Sequence, residues 1–345
     1  MSVLSKSLAF LINFAAFLAA FALVCAGIGA VLPEPKVPVV TTKLDWMAER
    51  GDEYDTLFIG SSRTHRQMMP EIFDAEMAAA GHPVRSFNAG VEGMRPPEDT
   101  YLLEKILARR TKPIRLVLVE CNSIRLFPRE GDRDTLRAVY WHDNVRMRVL
   151  LRAALIGDGK KGIGGGLGDF FTHARYWLWR NSNLGWGHDL LAEWIGVAPA
   201  KMLSTSALGE RNDGFAPPIH EGLANEDERG SYEKELTVRS AELERGKFGS
   251  SVSVDELRAK QRLIERAGGR MVLVIPPFIR EKFLRLKPED GLPPVLNFAD
   301  PEKYPELFSA EHRTDTGHTN LEGAKIYSRL VVRELLSLMG KPEGR

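Results

Sequence analysis

Asp55-Thr56-Leu57-Phe58-Ile59-Gly60-Ser61-Ser62 is the stretch from which the fold reads outward. The apolar run has the length of a strand and is too short for a helix, and Gly60 permits a tight turn off its end. A serine on such a turn is presented to solvent at a sheet edge. Downstream, Pro70 to Ala80 has proline at its first turn and Gly81 just past its end, which predicts a helix. Val84 to Phe87 predicts a second strand. Pro96 to Arg110 predicts a helix with Glu98 and Asp99 in its first turn and Arg109 and Arg110 in its last, matching the helix dipole. Ile114 to Glu120 is nearly all apolar, as buried parallel strands are. Farther on, Val254 to Ala267 predicts a helix that Gly268-Gly269 stops. Arg270 to Ile275 predicts a fourth strand, and Leu321 to Met339 a last helix. This alternation predicts an α/β fold, a parallel sheet covered by helices on both faces.

The remaining segments set the boundaries. From Leu8 to Leu32 there is no charge. As a helix this run is about 37 Å long, enough to cross a hydrocarbon core of roughly 30 Å. A cleavable signal peptide is the rival reading, but its apolar region usually runs only about 7–15 residues. Length therefore favours an uncleaved, single-pass anchor over residues 1–33. Lys6 and the amino terminus favour a cytoplasmic start, a bias that Lys36 and Lys43 weaken. Pro33, Pro35 and Pro38 predict an extended linker over 34–54. The main domain is then expected over 55–345, interrupted by a mostly helical insertion at about 125–250. Five of the six tryptophans fall in that insertion, with helices expected over Thr135–Ile156 and Phe170–Ile195 and a mobile glycine tract over Gly157–Gly168. The net charge of +1 gives no global pull toward nucleic acid, and the two cysteines, Cys25 and Cys121, are too far apart in pattern to predict a disulfide.

Chemistry-bearing residues gather at strand ends, where open parallel sheets bind ligands. Beside Gly60-Ser61-Ser62 stand Asn88-Ala89-Gly90-Val91-Glu92-Gly93 after the second strand and Glu120-Cys121-Asn122 after the third. Near the other end stands Asp315-Thr316-Gly317-His318. A hydroxyl needs a base to take its proton, and a carboxylate fixes the tautomer of a histidine base. Backbone N–H groups at a glycine and an Asn amide can hold an oxyanion. Each motif alone also reads as an ordinary turn or surface residue; their joint order points to nucleophilic catalysis.

These four motifs, in this order, resemble the SGNH (GDSL-like) hydrolase superfamily, over roughly Asp55–Asn122 and Arg270–Met339. The resemblance implies a flavodoxin-like sheet, Ser62 as nucleophile, and Asp315 and His318 as acid and base. It implies Gly93 as an oxyanion donor, with Gly90 its competitor, and Asn122 as another. Ser61 replaces the usual Asp, Arg63 the usual Leu, and the glycine before Asn122 is missing. Gly60-Ser61-Ser62-Arg63 behind an anchor is similar to the branch that handles envelope polymers, as in teichoic-acid D-alanylation and alginate-type O-acetylation. That branch implies acyl-ester chemistry on a polysaccharide or glycoconjugate acceptor, an acyl donor, and a multi-pass membrane O-acyltransferase partner. The implied location is the inner membrane, with the catalytic domain periplasmic. No cofactor and no metal are implied, and the histidines show no metal-ligand spacing. Arg63, Trp177 and Trp179 are candidate substrate contacts. Two other classes stay open: a non-catalytic assembly protein that keeps the fold, and a soluble secreted esterase or lipase. Gly157 to Gly162 matches a dinucleotide-type glycine pattern, but no strand precedes it.

Overall fold

A computed structural model describes residues 3–31, 36–126, 129–156, 162–183, 195, 205–243, 247–279 and 284–340. The chain forms two compact units, one from Met1–Val37 and Leu126–Met202, the other from Pro38–Arg125 and Leu203–Arg345.

The second unit carries a parallel sheet. Among the described residues the strands are β1 (Thr56–Ile59), β2 (Ser86–Asn88), β3 (Leu116–Glu120), β4 (Lys247–Phe248), β5 (Arg270–Ile275), β6 (Leu284–Arg285) and β7 (Val295–Asn297). The main sheet runs β2-β1-β3-β5-β7, all parallel, and β4 pairs separately with β6. This order is compatible with a flavodoxin-like fold. Strand order reverses between β1 and β3, so the loops leaving their C-terminal ends part to opposite faces and open a crevice. β1 is buried along its whole length, which explains why its residues are apolar without alternation. On one face Phe58, Leu118 and Val272 pack with Phe73, Phe298 and Tyr327. The Phe58 and Phe73 rings meet edge-on at 5.0 Å.

Two features of this unit depart from the sequence expectation. Residues 34–54 are not an extended linker throughout: Val40–Arg50 is a helix that buries Val40, Leu44 and Met47. Its start carries no side-chain cap, and Val39 ahead of it has φ 66°, so the proline-rich approach hid it. Residues 203–250, expected inside the insertion, belong to the sheet-bearing unit. Gly214 sits against the Asn88 carbonyl, and the Tyr232 hydroxyl, buried in the core, donates to Phe308 O at 2.7 Å.

In the other unit, Val3–Val31 is one helix, and its segment Lys6–Val31 is long and apolar enough to cross a membrane. The expected helix Thr135–Ile156 is two, Leu136–Tyr140 and Asn144–Leu155, because Asp143 caps a fresh start by accepting from Arg146 N at 2.8 Å. Gly162–Asn181 is helical, so the described part of the glycine tract is not a mobile loop. Packing overrides glycine's poor propensity here: a Cβ on Gly166 would lie 2.9 Å from Ala154 O, so only glycine allows so close an approach. The helix stops before Asn183, whose φ of 60° cannot continue it. Residues 157–161, Trp186 and Trp194 lie outside the described residues. Cys25 and Cys121 are free thiols.

A buried histidine pair makes the stability of the helical unit pH-dependent. His173 Nε2 lies 2.8 Å from Leu126 O, which can only accept, so Nε2 carries the proton. His173 Nδ1 then accepts from His142 Nε2 at 2.8 Å. Burial pulls His173 down to about 4, against the Leu126 bond, and pulls His142 well below its ordinary value. In this range the unfolded chain binds protons that the folded unit refuses, so stability falls as pH drops below about 6.5 toward 4. The loss from His173 should reach roughly 3 kcal/mol near pH 4. Tryptophan-monitored unfolding across this pH range should show the slope, and His173→Gln should flatten it.

Candidate active site

Ser62 opens the short helix Ser62–Gln67 that follows β1. Its Oγ lies 2.7 Å from His318 Nε2. On the far side of the imidazole, Nδ1 lies 2.9 Å from Asp315 Oδ2 and 3.1 Å from Oδ1. With Asp315 accepting, Nδ1 carries the proton and Nε2 presents its lone pair to the serine hydroxyl. Asp315 also accepts from Gly317 N at 2.5 Å and His318 N at 2.9 Å, which closes the turn and aims the carboxylate. Partial desolvation pushes the Asp315 pKa up, but the His318 hydrogen bond and charge and the Gly317 N–H outweigh it and hold it at about 2.

The loop that carries Asp315 and His318 is pinned from behind by Arg313, a residue that sequence reading missed. Its side chain is fully buried and donates to the carbonyls of Asp315, Pro277 and Leu307. Asn320 then caps the Leu321–Met339 helix, accepting from Gly323 N at 3.0 Å. Gln67 Nε2 donates to Gly317 O at 3.2 Å and ties the serine helix to the histidine loop.

Beneath the serine lies a second unforeseen network. Glu120, at the end of β3, is 2% exposed. It accepts from Ser61 N at 2.6 Å, from Ser61 Oγ, from Thr64 Oγ1 at 3.0 Å and from Arg63 Nε at 3.1 Å. Burial pushes its pKa up, but the Arg63 charge and the Ser61 bonds overcome this and keep it below the ordinary glutamate value. Gly60 makes room for the carboxylate: a Cβ there would fall 2.5 Å from Glu120 Oε2. This network separates the two serines. The Ser61 hydroxyl is buried and committed to Glu120, while the Ser62 hydroxyl faces the histidine. Arg63, a candidate substrate contact, is 6% exposed, ion-paired to Glu120 and stacked 4.4 Å from the Phe278 ring. Arg63 and Glu120 could not be paired from sequence, since only the β1–β3 register brings them together.

The second block is braced against the same turn. Val91 N donates to Gly60 O at 3.0 Å. Asn88 Oδ1 accepts from Gly90 N at 2.9 Å, so the Gly90 N–H is already engaged. Gly93 of the same block sits in the left-handed region at φ 69°. Asn88 Nδ2 donates to the carbonyls of Thr64 and Met68, 2.7 Å each, and fastens the end of the serine helix. Lys43, fully buried, donates to Asn88 O and Gly90 O at 2.7 Å and to Gly214 O at 2.8 Å. Burial lowers its pKa, against the nearby Asp213 charge.

Asn122 is 8% exposed; its buried Nδ2 has no partner of good hydrogen-bond geometry but interacts with the Glu120 carboxylate and helps keep it ionised. A buried amide donor without a well-aligned partner is able to bond to a passing oxyanion. On the oxyanion role that the resemblance implies for Asn122, Asn122→Ala should slow ester turnover by about 10²–10³ with folding intact. Steady-state kinetics beside a thermal melt would check this, and an unchanged rate would assign the donor role elsewhere.

Trp177 and Trp179 belong to the unit that contains Leu126–Met202, not to the one that holds the triad. Trp177 Nε1 donates to Asn144 Oδ1 at 2.7 Å, and Trp179 packs edge-on against Tyr176 at 5.8 Å. An open cleft of about 750 Å³ adjoins Asp315 and Thr316, lined among others by Leu223, Tyr232, Glu228 and Glu235. Among the described residues, no group of three or more His, Cys, Asp or Glu side chains converges as a metal site requires. No protein-family model matches the chain, and neither does any curated protein sequence.

Proposed function

We propose that this chain is an SGNH-type serine esterase or O-acyltransferase working through an acyl-serine intermediate. The observation that carries the reading is the hydrogen-bonded chain from Ser62 Oγ through His318 to Asp315. Ser62 attacks an acyl carbonyl while His318 Nε2 takes its proton. The oxyanion is held by Asn122 Nδ2 and the Gly93 N–H. Collapse expels the donor alcohol, protonated by His318, and leaves the acyl group on Ser62. Water or a sugar hydroxyl then gives its proton to His318 and takes the acyl group.

The acceptor we propose is an envelope polysaccharide or glycoconjugate, with a multi-pass membrane O-acyltransferase as the source of acyl groups. The support is the apolar helix Lys6–Val31 together with the likeness of Gly60-Ser61-Ser62-Arg63 to the envelope branch of the superfamily. On this reading the chain is held in the inner membrane by that helix, with the triad on the periplasmic side. The cleft beside Asp315 offers room for an acceptor.

The test is labelling of the full chain with an active-serine fluorophosphonate, followed by turnover of an activated acetyl ester with and without oligosaccharide. Labelling together with acetyl transfer to sugar supports the transferase, and labelling with release of acetate alone supports the esterase. Absence of labelling in folded protein would sink the enzymatic reading in favour of an assembly protein that keeps the fold.

A further inference from the structure

The helix Gly162–Asn181 has two apolar faces, and among the described residues one is packed and the other is largely exposed. Gly166, His173 and Tyr176 point inward and are buried. On another side, Ile163, Leu167, Phe171, Ala174 and Leu178 follow at the spacing of one helical stripe. Within that stripe Ile163 is 55%, Phe171 70% and Leu178 53% exposed. The neighbouring helix Asn144–Leu155 also exposes Val145 and Leu155. Arg148 is exposed on the same helix. An exposed apolar stripe on one helix, with an exposed arginine on the neighbouring helix, is a pattern shared with helices that lie in a lipid interface.

A second observation bears on the occupant of the stripe. The residues that follow this helix are seated on the apolar N-terminal helix. Asn183 Nδ2 donates to Cys25 O at 2.8 Å, and Cys25 Sγ lies 3.8 Å from Ser182 O. Gly29 makes room for the contact, since a Cβ there would fall 3.1 Å from Asn183 Oδ1. Lys6–Val31 is about 39 Å long as a helix, against a hydrocarbon core of roughly 30 Å. Centred in that core, it places Cys25, about 9 Å from the Val31 end, some 5 Å inside the boundary. Ser182 and Asn183 are then at membrane depth, and Leu178 is about one helical turn away.

We propose that the helix Gly162–Asn181 docks its outer stripe into the lipid leaflet at the Cys25 end of the span, with Arg148 toward anionic headgroups. The inference rests on Lys6–Val31 being a membrane anchor, as in the proposed function. The stripe loses its contact with water in the leaflet, and its occupant is lipid rather than a second protein. The unit is then a foot on the membrane as well as an anchor through it.

The test uses the full chain in vesicles of phosphatidylethanolamine and phosphatidylglycerol. An environment-sensitive fluorophore is attached to Phe171→Cys, Leu178→Cys, Leu18→Cys and Glu289→Cys in turn; the native Cys25 and Cys121 are buried and give the background. Probes at 171 and 178 should shift to the blue and lose most of their emission to spin-labelled lipid but not to aqueous iodide, as the probe at 18 does. The exposed position 289 should show the reverse. If 171 and 178 respond to iodide like 289 while 18 responds to lipid, the anchor stands and the docking surface is refuted. If they resist both quenchers, a protein covers the stripe, and the proposal is equally overturned. If 18 fails to respond to lipid, the anchor reading itself falls and takes this inference with it.

Discussion

Ser62→Ala should lower turnover of an activated ester by about 10⁶ and abolish fluorophosphonate labelling, with the melting profile unchanged. The size follows from the chemistry: without the Ser62 hydroxyl, His318 Nε2 loses the group it deprotonates, and the acyl-enzyme cannot form. The fold should survive because the half-buried Ser62 side chain offers a hydrogen bond to His318 and little packing. The neighbouring position provides the control. Ser61→Ala removes a helix cap and hydroxyl bonds to buried Glu120, which should cost stability, about 1–2 kcal/mol, rather than chemistry. Labelling should persist in Ser61→Ala. If labelling instead vanishes there and survives in Ser62→Ala, the nucleophile is Ser61.

Asp315→Asn should cost about 10⁴ in turnover while leaving substrate binding nearly intact. The carboxylate accepts from the Gly317 and His318 amides and from His318 Nδ1 at once. An amide keeps the shape but turns one acceptor into a donor. The imidazole is then driven toward the tautomer whose Nε2–H faces Ser62, and the base is lost. Comparing kcat and KM separately checks this: the loss should fall on kcat. Since Asp315 titrates at about 2, it stays ionised throughout the working range, and an acid limb in the wild-type pH–rate profile above about pH 4 cannot come from it.

Much of the frame was legible in the chain. Arg270–Ile275 and Leu321–Met339 have the expected bounds, and β1, β3 and the Pro70–Ala79 helix differ only at their ends. These elements carry local signals: continuous apolar runs, proline at a first turn, glycine past an end. β7 escaped because three residues behind Pro293-Pro294 carry too little pattern to read. The Val40–Arg50 helix escaped because it has no capping side chain and turns a lysine inward. The helix through the glycine tract escaped because its stability comes from contact with the Asn144–Leu155 helix and not from propensity.

For the site, the sequence by itself determined the chemical inventory: a serine on a glycine turn, an Asp and a His spaced to meet on one loop, and amide donors at neighbouring strand ends. Local spacing suffices there, because Asp315 reaches His318 within a single turn. Only the tertiary structure decided which serine faces the histidine, that Arg63 turns inward to Glu120, and that Gly90 has spent its N–H on Asn88. Those choices depend on strand register and on burial, which set partners far apart in the chain side by side and make an unpaired charge too costly to leave.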